Sequence, residues 1–189
     1  MRKLDDHLKA AIIRMPVAEK DKLLLRLVTK DDKLVQRLVF ELMEGGETRD
    51  ERAATLKQKI EEDLHNAVNY ELTPGFLLMY LRNWNARITE HVQATKDRSG
   101  EVALTVFMLA EAFRVHREML DSFPDRRSDT LAPYIVKRLK TIVGKAEKLH
   151  EDYFIEFRSD MQTLLQHIWS FRPTAQFAQE ASLPRDWNL

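Results

Sequence analysis

Two Glu-x-x-His spacings, Glu62 to His65 and Glu147 to His150, come closest in this chain to a metal chemistry. Residues three apart on a helix face the same way. Carboxylate-rich bundles use this spacing on two helices, with further glutamates, to hold paired iron or manganese ions. Six histidines and sixteen glutamates in 189 residues produce roughly half such a match by chance. At about 100° per residue, Glu62 lies almost opposite the Ile60–Leu64–Val68 stripe and His65 falls off its flank. Glu147 stands outside the stripe of its own segment, which His150 only borders. Bundle ligands point inward, so a di-iron type enzyme is the alternative reading and no cofactor is expected.

His91 falls at the centre of the stripe Leu77–Leu81–Trp84–Ile88. A general base in the core is one role for it. A hydrogen-bonded core histidine near a helix C-terminus, where the dipole tolerates its charge, is the expected one. Glu111 interrupts the apolar run from Val102 to Ala110. Burying a carboxylate requires a partner, so an ion pair with Arg114, Arg117, His116 or a cross-helix arginine is expected rather than catalysis.

Residues 125–148 carry Arg126, Arg127, Lys137, Arg138, Lys140, Lys145 and Lys148 against Asp125, Asp129 and Glu147, a net charge of +4. Arg126, Arg127, Lys137, Lys140 and Lys148 are therefore the candidate anion-binding residues of a regulator or nucleic-acid binder. A solvated helix face is the ordinary account, because Glu151, Asp152 and Glu156 soon reverse the sign. The segment Arg82-Asn83-Trp84-Asn85-Ala86-Arg87 has the basic–aromatic mix of a base-stacking surface, but Trp84 belongs to a buried stripe. A helix-turn-helix is disfavoured, since its last helix at 30–44 would set Asp31, Asp32, Glu41 and Glu44 against phosphate.

Composition removes further classes. Thirty basic residues balance thirty acidic ones, so no global field draws the chain to nucleic acid or an anionic membrane. There is no cysteine, hence no disulfide, thiolate metal site or cysteine nucleophile. Five glycines, against a usual share of about 7%, leave no phosphate-cradling loop and no strained nucleophile elbow. The first residues have no apolar signal core and no apolar run approaches the ~20 residues of a membrane span, so a cytoplasmic protein is expected.

Apolar residues recurring every three or four positions predict an all-α fold. Residues 1–46 read as a unit of three short helices, near 3–14, 17–28 and 30–44, with Thr29 capping the third and Gly45-Gly46 ending it. Residues 47–171 read as a bundle of about four long helices, near 48–71, 73–96, 99–121 and 130–171. The helix at 99–121, apolar nearly all round, is the central one. The last is expected to be unbroken from Ile135 to Phe171, about 55 Å long, with any bend at Gly144.

The tail 172–189 reads as an aromatic strap, too short to bury Phe177, Trp187 and Leu189 by itself. These elements most resemble the parts of a non-catalytic protein-interaction or scaffold module. Its partner is expected at a groove beside the N-terminal unit, at Phe177, Trp187 and Leu189, or in a homodimer through the last helix or the strap.

Overall fold

The computed structural model describes residues 4–70 and 72–187, and among them it contains nine α-helices and no strand. Helix α1 (Asp6–Arg14) begins at Asp5, whose carboxylate accepts from the backbone N–H groups of His7 and Leu8 at 2.9 and 3.3 Å. It ends ahead of Pro16, which lacks the N–H a continuing helix needs. Helix α2 (Val17–Val28) follows directly. The cap of α3 (Asp32–Leu38) is Asp31 rather than Thr29. The Asp31 carboxylate accepts from Lys33 and Leu34, while the Thr29 hydroxyl turns back to the Arg26 carbonyl. A carboxylate offers a stronger acceptor to the positive helix N-terminus than a hydroxyl does. A π-helical turn, Val39–Met43, prolongs α3. Gly45 and Gly46, at φ 62° and 75°, then stop it in a conformation that side chains disfavour.

The remaining helices are longer. They are α4 (Arg49–Asn66), α5 (Pro74–Thr95) and α6 (Arg98–Ser122). Thr73 caps α5 by accepting from the Phe76 N–H at 3.3 Å, with Pro74 in the first helical position. Helix α6 is central: α4, α5, α7 and α8 all pack on it. Fourteen of its 25 residues are buried, whereas α1 and α2 bury none.

The long last helix is broken. Helix α7 (Leu131–Ala146) gives way to a loop and a 3-10 turn at Glu151–Glu156, then to α8 (Arg158–Ser170) and α9 (Arg172–Glu180). The interruption falls after Ala146, where His150 turns extended at ψ 145°, and not at Gly144. The apolar spacing runs unbroken through this segment, but α6 spans only about 37 Å and cannot cover a 55 Å stripe. Folded back, both halves bury: Ile135, Leu139 and Ile142 on one side of the break, Phe157, Met161 and Leu164 on the other. The stripe is thus covered by its own chain on both sides of the break and leaves no long apolar face for a second copy.

Gly144 sits inside α7 with nothing within 4 Å of where a Cβ would lie. Gly144→Ala is therefore expected to stabilise the protein by about 0.5–1 kcal/mol. Thermal denaturation should read this as a rise in Tm of about 2–3 °C.

Candidate functional site

A cavity of about 750 Å³ opens between α3 with its following turn and the helices α4 and α5. Asp32, Glu44, Glu51 and Glu90 face Lys33, Arg52, Lys59 and Arg87 around it. Four charges of each sign leave no one-signed field to concentrate phosphates. Part of the wall is fixed by its own contacts. The Arg52 guanidinium donates to Glu44 at 2.8 Å and lies over the Phe40 ring, and Arg87 lies over Trp84 at 4.8 Å.

His91 lines this cleft, and the backbone shows how it is held. Lys96 takes φ 60°, ending α5 in a left-handed turn that brings Asp97 back against His91. His91 Nε2 lies 3.2 Å from Asp97 Oδ2, and the two side chains are 6% and 5% exposed. Asp97 also caps α6, accepting from the Gly100 N–H at 2.8 Å and the Ser99 hydroxyl at 3.2 Å. A Cβ at position 100 would stand 1.9 Å from Asp97 Oδ2, so glycine there is what lets the carboxylate lie against the first turn. Burial pushes the Asp97 carboxyl up, but the hydrogen bonds from His91, Gly100 and Ser99 outweigh it and hold it below its ordinary value. The result is an imidazole oriented by an ionised carboxylate, a geometry suited to proton transfer. The hydroxyls of the lining are already engaged: that of Thr55 donates to the Glu51 carbonyl and that of Thr48 to the Glu44 carboxylate.

Glu111 is 6% exposed and does not line the cleft. It is paired with Arg114 of its own helix and with His65 Nε2 of α4 at 2.8 Å. Burial opposes its charge, but Arg114 and His65 overcome that and hold the carboxyl below its usual range. Glu61 completes a group in which ligand-type atoms of Glu61, His65 and Glu111 lie within 4.8 Å of one another. The relevant spacing is thus Glu61 to His65, four apart, which shares a helix face as well as three does. Glu62 points to solvent and accepts from Gln58 at 2.7 Å. The Arg114 guanidinium donates to Glu111 and lies 3.1 Å from His65 Nε2, so a metal ion would have to displace a cation already in place. Glu147 and His150 are both exposed, with His150 beside Asp152. The four Glu-x-x-His residues do not converge.

The other candidates separate in the same way. Arg126, Arg127, Lys137, Lys140 and Lys148 are exposed, but Lys145 and Arg138 of that stretch turn inward to Glu101, at 2.5 and 3.6 Å. Trp84 is 2% exposed and has no free face for a base. In the tail, Trp187 is 4% exposed and packs edge-on against Phe154 and Phe157, with ring centroids 6.1 and 6.2 Å away. Its backbone N–H donates to Gln162 Oε1 at 2.8 Å. Phe177 is half-buried on the same core, and Leu189 lies outside the described residues. Trp187 therefore clasps its own bundle, and the expectation that it receives a partner is corrected. Its apolar area, too large for the tail alone, is covered by α8 and the 3-10 turn before it.

Sequence periodicity missed one surface. Nine of the fifteen large hydrophobic side chains exposed among the described residues fall within residues 4–43. Ile13, Val17 and Leu25 are 73%, 71% and 67% exposed. Helix α1 makes no substantial contact with the bundle, and the main neighbour of α2 is α3. The available signal was Leu23-Leu24-Leu25-Arg26-Leu27-Val28, which is apolar on more faces than one neighbouring helix can cover. No helix among the described residues is long and apolar enough to cross a membrane. No protein-family model matches the chain, and no curated protein or solved structure matches it either.

Proposed function

We propose that this chain is a non-catalytic protein-interaction module that engages its partner through the N-terminal unit. The α1–α2 hairpin is the docking face and the adjoining cleft of mixed charge is its rim. The observation that carries the reading is that two consecutive helices bury no residue while exposing a run of aliphatic side chains. Exposed apolar surface concentrated on one unit of a fold marks interaction sites on folded proteins. An apolar centre edged by charges of both signs suits a partly helical protein partner. The cleft itself supports binding better than catalysis: His91 is buried against Asp97, and the threonine hydroxyls of the lining are already committed to other acceptors.

A photo-crosslinking side chain placed at Leu24 in the full-length protein tests this in the cell that makes it. A discrete protein adduct from Leu24, and none from an equally exposed site such as Phe76, at the end of α5 away from the cleft, is the expected result. Equal labelling from both positions, or none from Leu24, rejects the reading.

A further inference from the structure

We propose that the partner of the α1–α2 hairpin is a second copy of this chain, docked as an isologous helical pair; this rests on the hairpin being a docking face. The first support is internal to the sequence. Asp21-Lys22-Leu23-Leu24-Leu25-Arg26-Leu27-Val28 is nearly repeated as Asp32-Lys33-Leu34-Val35-Gln36-Arg37-Leu38-Val39. The later version packs on α5, which half-buries Val35 and Leu38. The earlier version carries Leu24 and Leu27 at the equivalent places, 56% and 52% exposed. Two positions of one pattern are thus half-buried where a helix lies on them and exposed where none does, so a helix is what fits them.

Area supports the same occupant. A leucine-sized side chain carries on the order of 100 Å² of apolar surface. Leu4, Leu8, Ile13, Val17, Leu24 and Leu27 are each 49–73% exposed. Together with Leu25 they leave on the order of 400 Å² of apolar surface uncovered. A standard interface covers ~800 Å² per partner, a little over half of it apolar. The two helices therefore expose apolar surface of the same order as one side of a stable dimer needs.

Charge completes the argument. Asp5, Asp6, Glu19 and Asp21 alternate with Lys9, Arg14, Lys20, Lys22 and Arg26 along the hairpin. A surface of interspersed sign is compatible with a copy of itself, whereas one meeting nucleic acid or an anionic membrane would be of one sign. The chain as a whole has thirty charges of each sign, so two copies meet no net repulsion. In a two-fold pair each hairpin presents the same patch to the other.

Sedimentation velocity of the full chain over about 1–100 µM is the test. The expected result is a monomer–dimer equilibrium in this range. Leu8→Glu combined with Leu24→Glu should weaken it at least tenfold, while Ile155→Glu leaves it unchanged. Because α1 and α2 bury no residue, the double variant should keep the unfolding midpoint of the wild type measured at concentrations where that is monomeric, which excludes misfolding as the cause. A wild type that stays monomeric throughout overturns the proposal, as does a dimer that survives the two glutamates. If the wild type is monomeric but crosslinks from Leu24 to a different protein, only the second copy is rejected. If Leu24 yields no adduct at all, the docking face itself is rejected.

Discussion

Trp187→Ala should lower the free energy of unfolding by about 3–5 kcal/mol, the range for deleting a large buried aromatic. The indole is almost fully covered by Phe154 and Phe157, themselves part of the continuous core. Its removal opens a cavity next to an existing space of about 520 Å³ lined by Val143, Gly144 and Leu183. Nothing nearby is placed to collapse into the gap. The segment around it is held by only a few polar contacts: the Trp169 indole N–H to the Pro184 carbonyl at 2.9 Å, and Gln162 to Asp186 and to the Trp187 N–H. Urea unfolding followed by circular dichroism measures the loss. The same variant should leave association through Leu8 and Leu24 intact, because the clasp lies on α8 and the hairpin does not. A stability change under about 1 kcal/mol, the size of an ordinary surface substitution, would show that the tail is loosely attached and return Trp187 to the list of partner contacts.

Asp97→Ala should cost about 3 kcal/mol by two additive routes. Losing an N-cap carboxylate at the start of the central helix costs about 1 kcal/mol. Leaving His91 buried without its partner adds about 1–3 kcal/mol. Asp97→Asn keeps an oxygen for the Gly100 N–H and should recover part of the loss, which separates the two routes in a denaturant titration.

The pH dependence follows from the same pairs. Asp97 and Glu111 titrate below their ordinary values in the folded chain. Their stabilisation is therefore present above the unfolded-state values near 3.9 and 4.3 and is lost as pH falls through the lower folded ones. His116 and His167 are also pushed down, in each case first by burial. Below about pH 6.5 the unfolded chain takes up their protons before the folded one does, and stability declines from there. A curve flat above neutrality with two separate declines on acidification is expected. Asp97→Ala should diminish the lower one and spare the upper.

Much of this molecule was legible from residue order alone. Thr73-Pro74 fixes the start of α5, Pro16 divides α1 from α2, and the all-round apolar run at 102–110 marks α6 as central. These are local effects: a missing donor, a capping oxygen, a periodicity of 3.6. That His91 and Glu111 would each have a partner followed as well, because a buried polar group must find one.

What residue order could not settle is where a helix stops when its apolar stripe does not. Spacing from Ile135 to Phe171 permits one helix. The finite length of α6 decides that it becomes two, and that Trp187 then has a floor to pack on. Nor does spacing distinguish Glu61 from Glu62 as the neighbour of His65, which depends on how α4 is rotated against α6. The near-identical stripes of α2 and α3 make the point most simply: Val35 and Leu38 are half-buried and the equivalent Leu24 and Leu27 exposed, because it is α3 that packs against α5. Periodicity specifies that a face is apolar, whereas coverage depends on what the rest of the chain brings within contact distance.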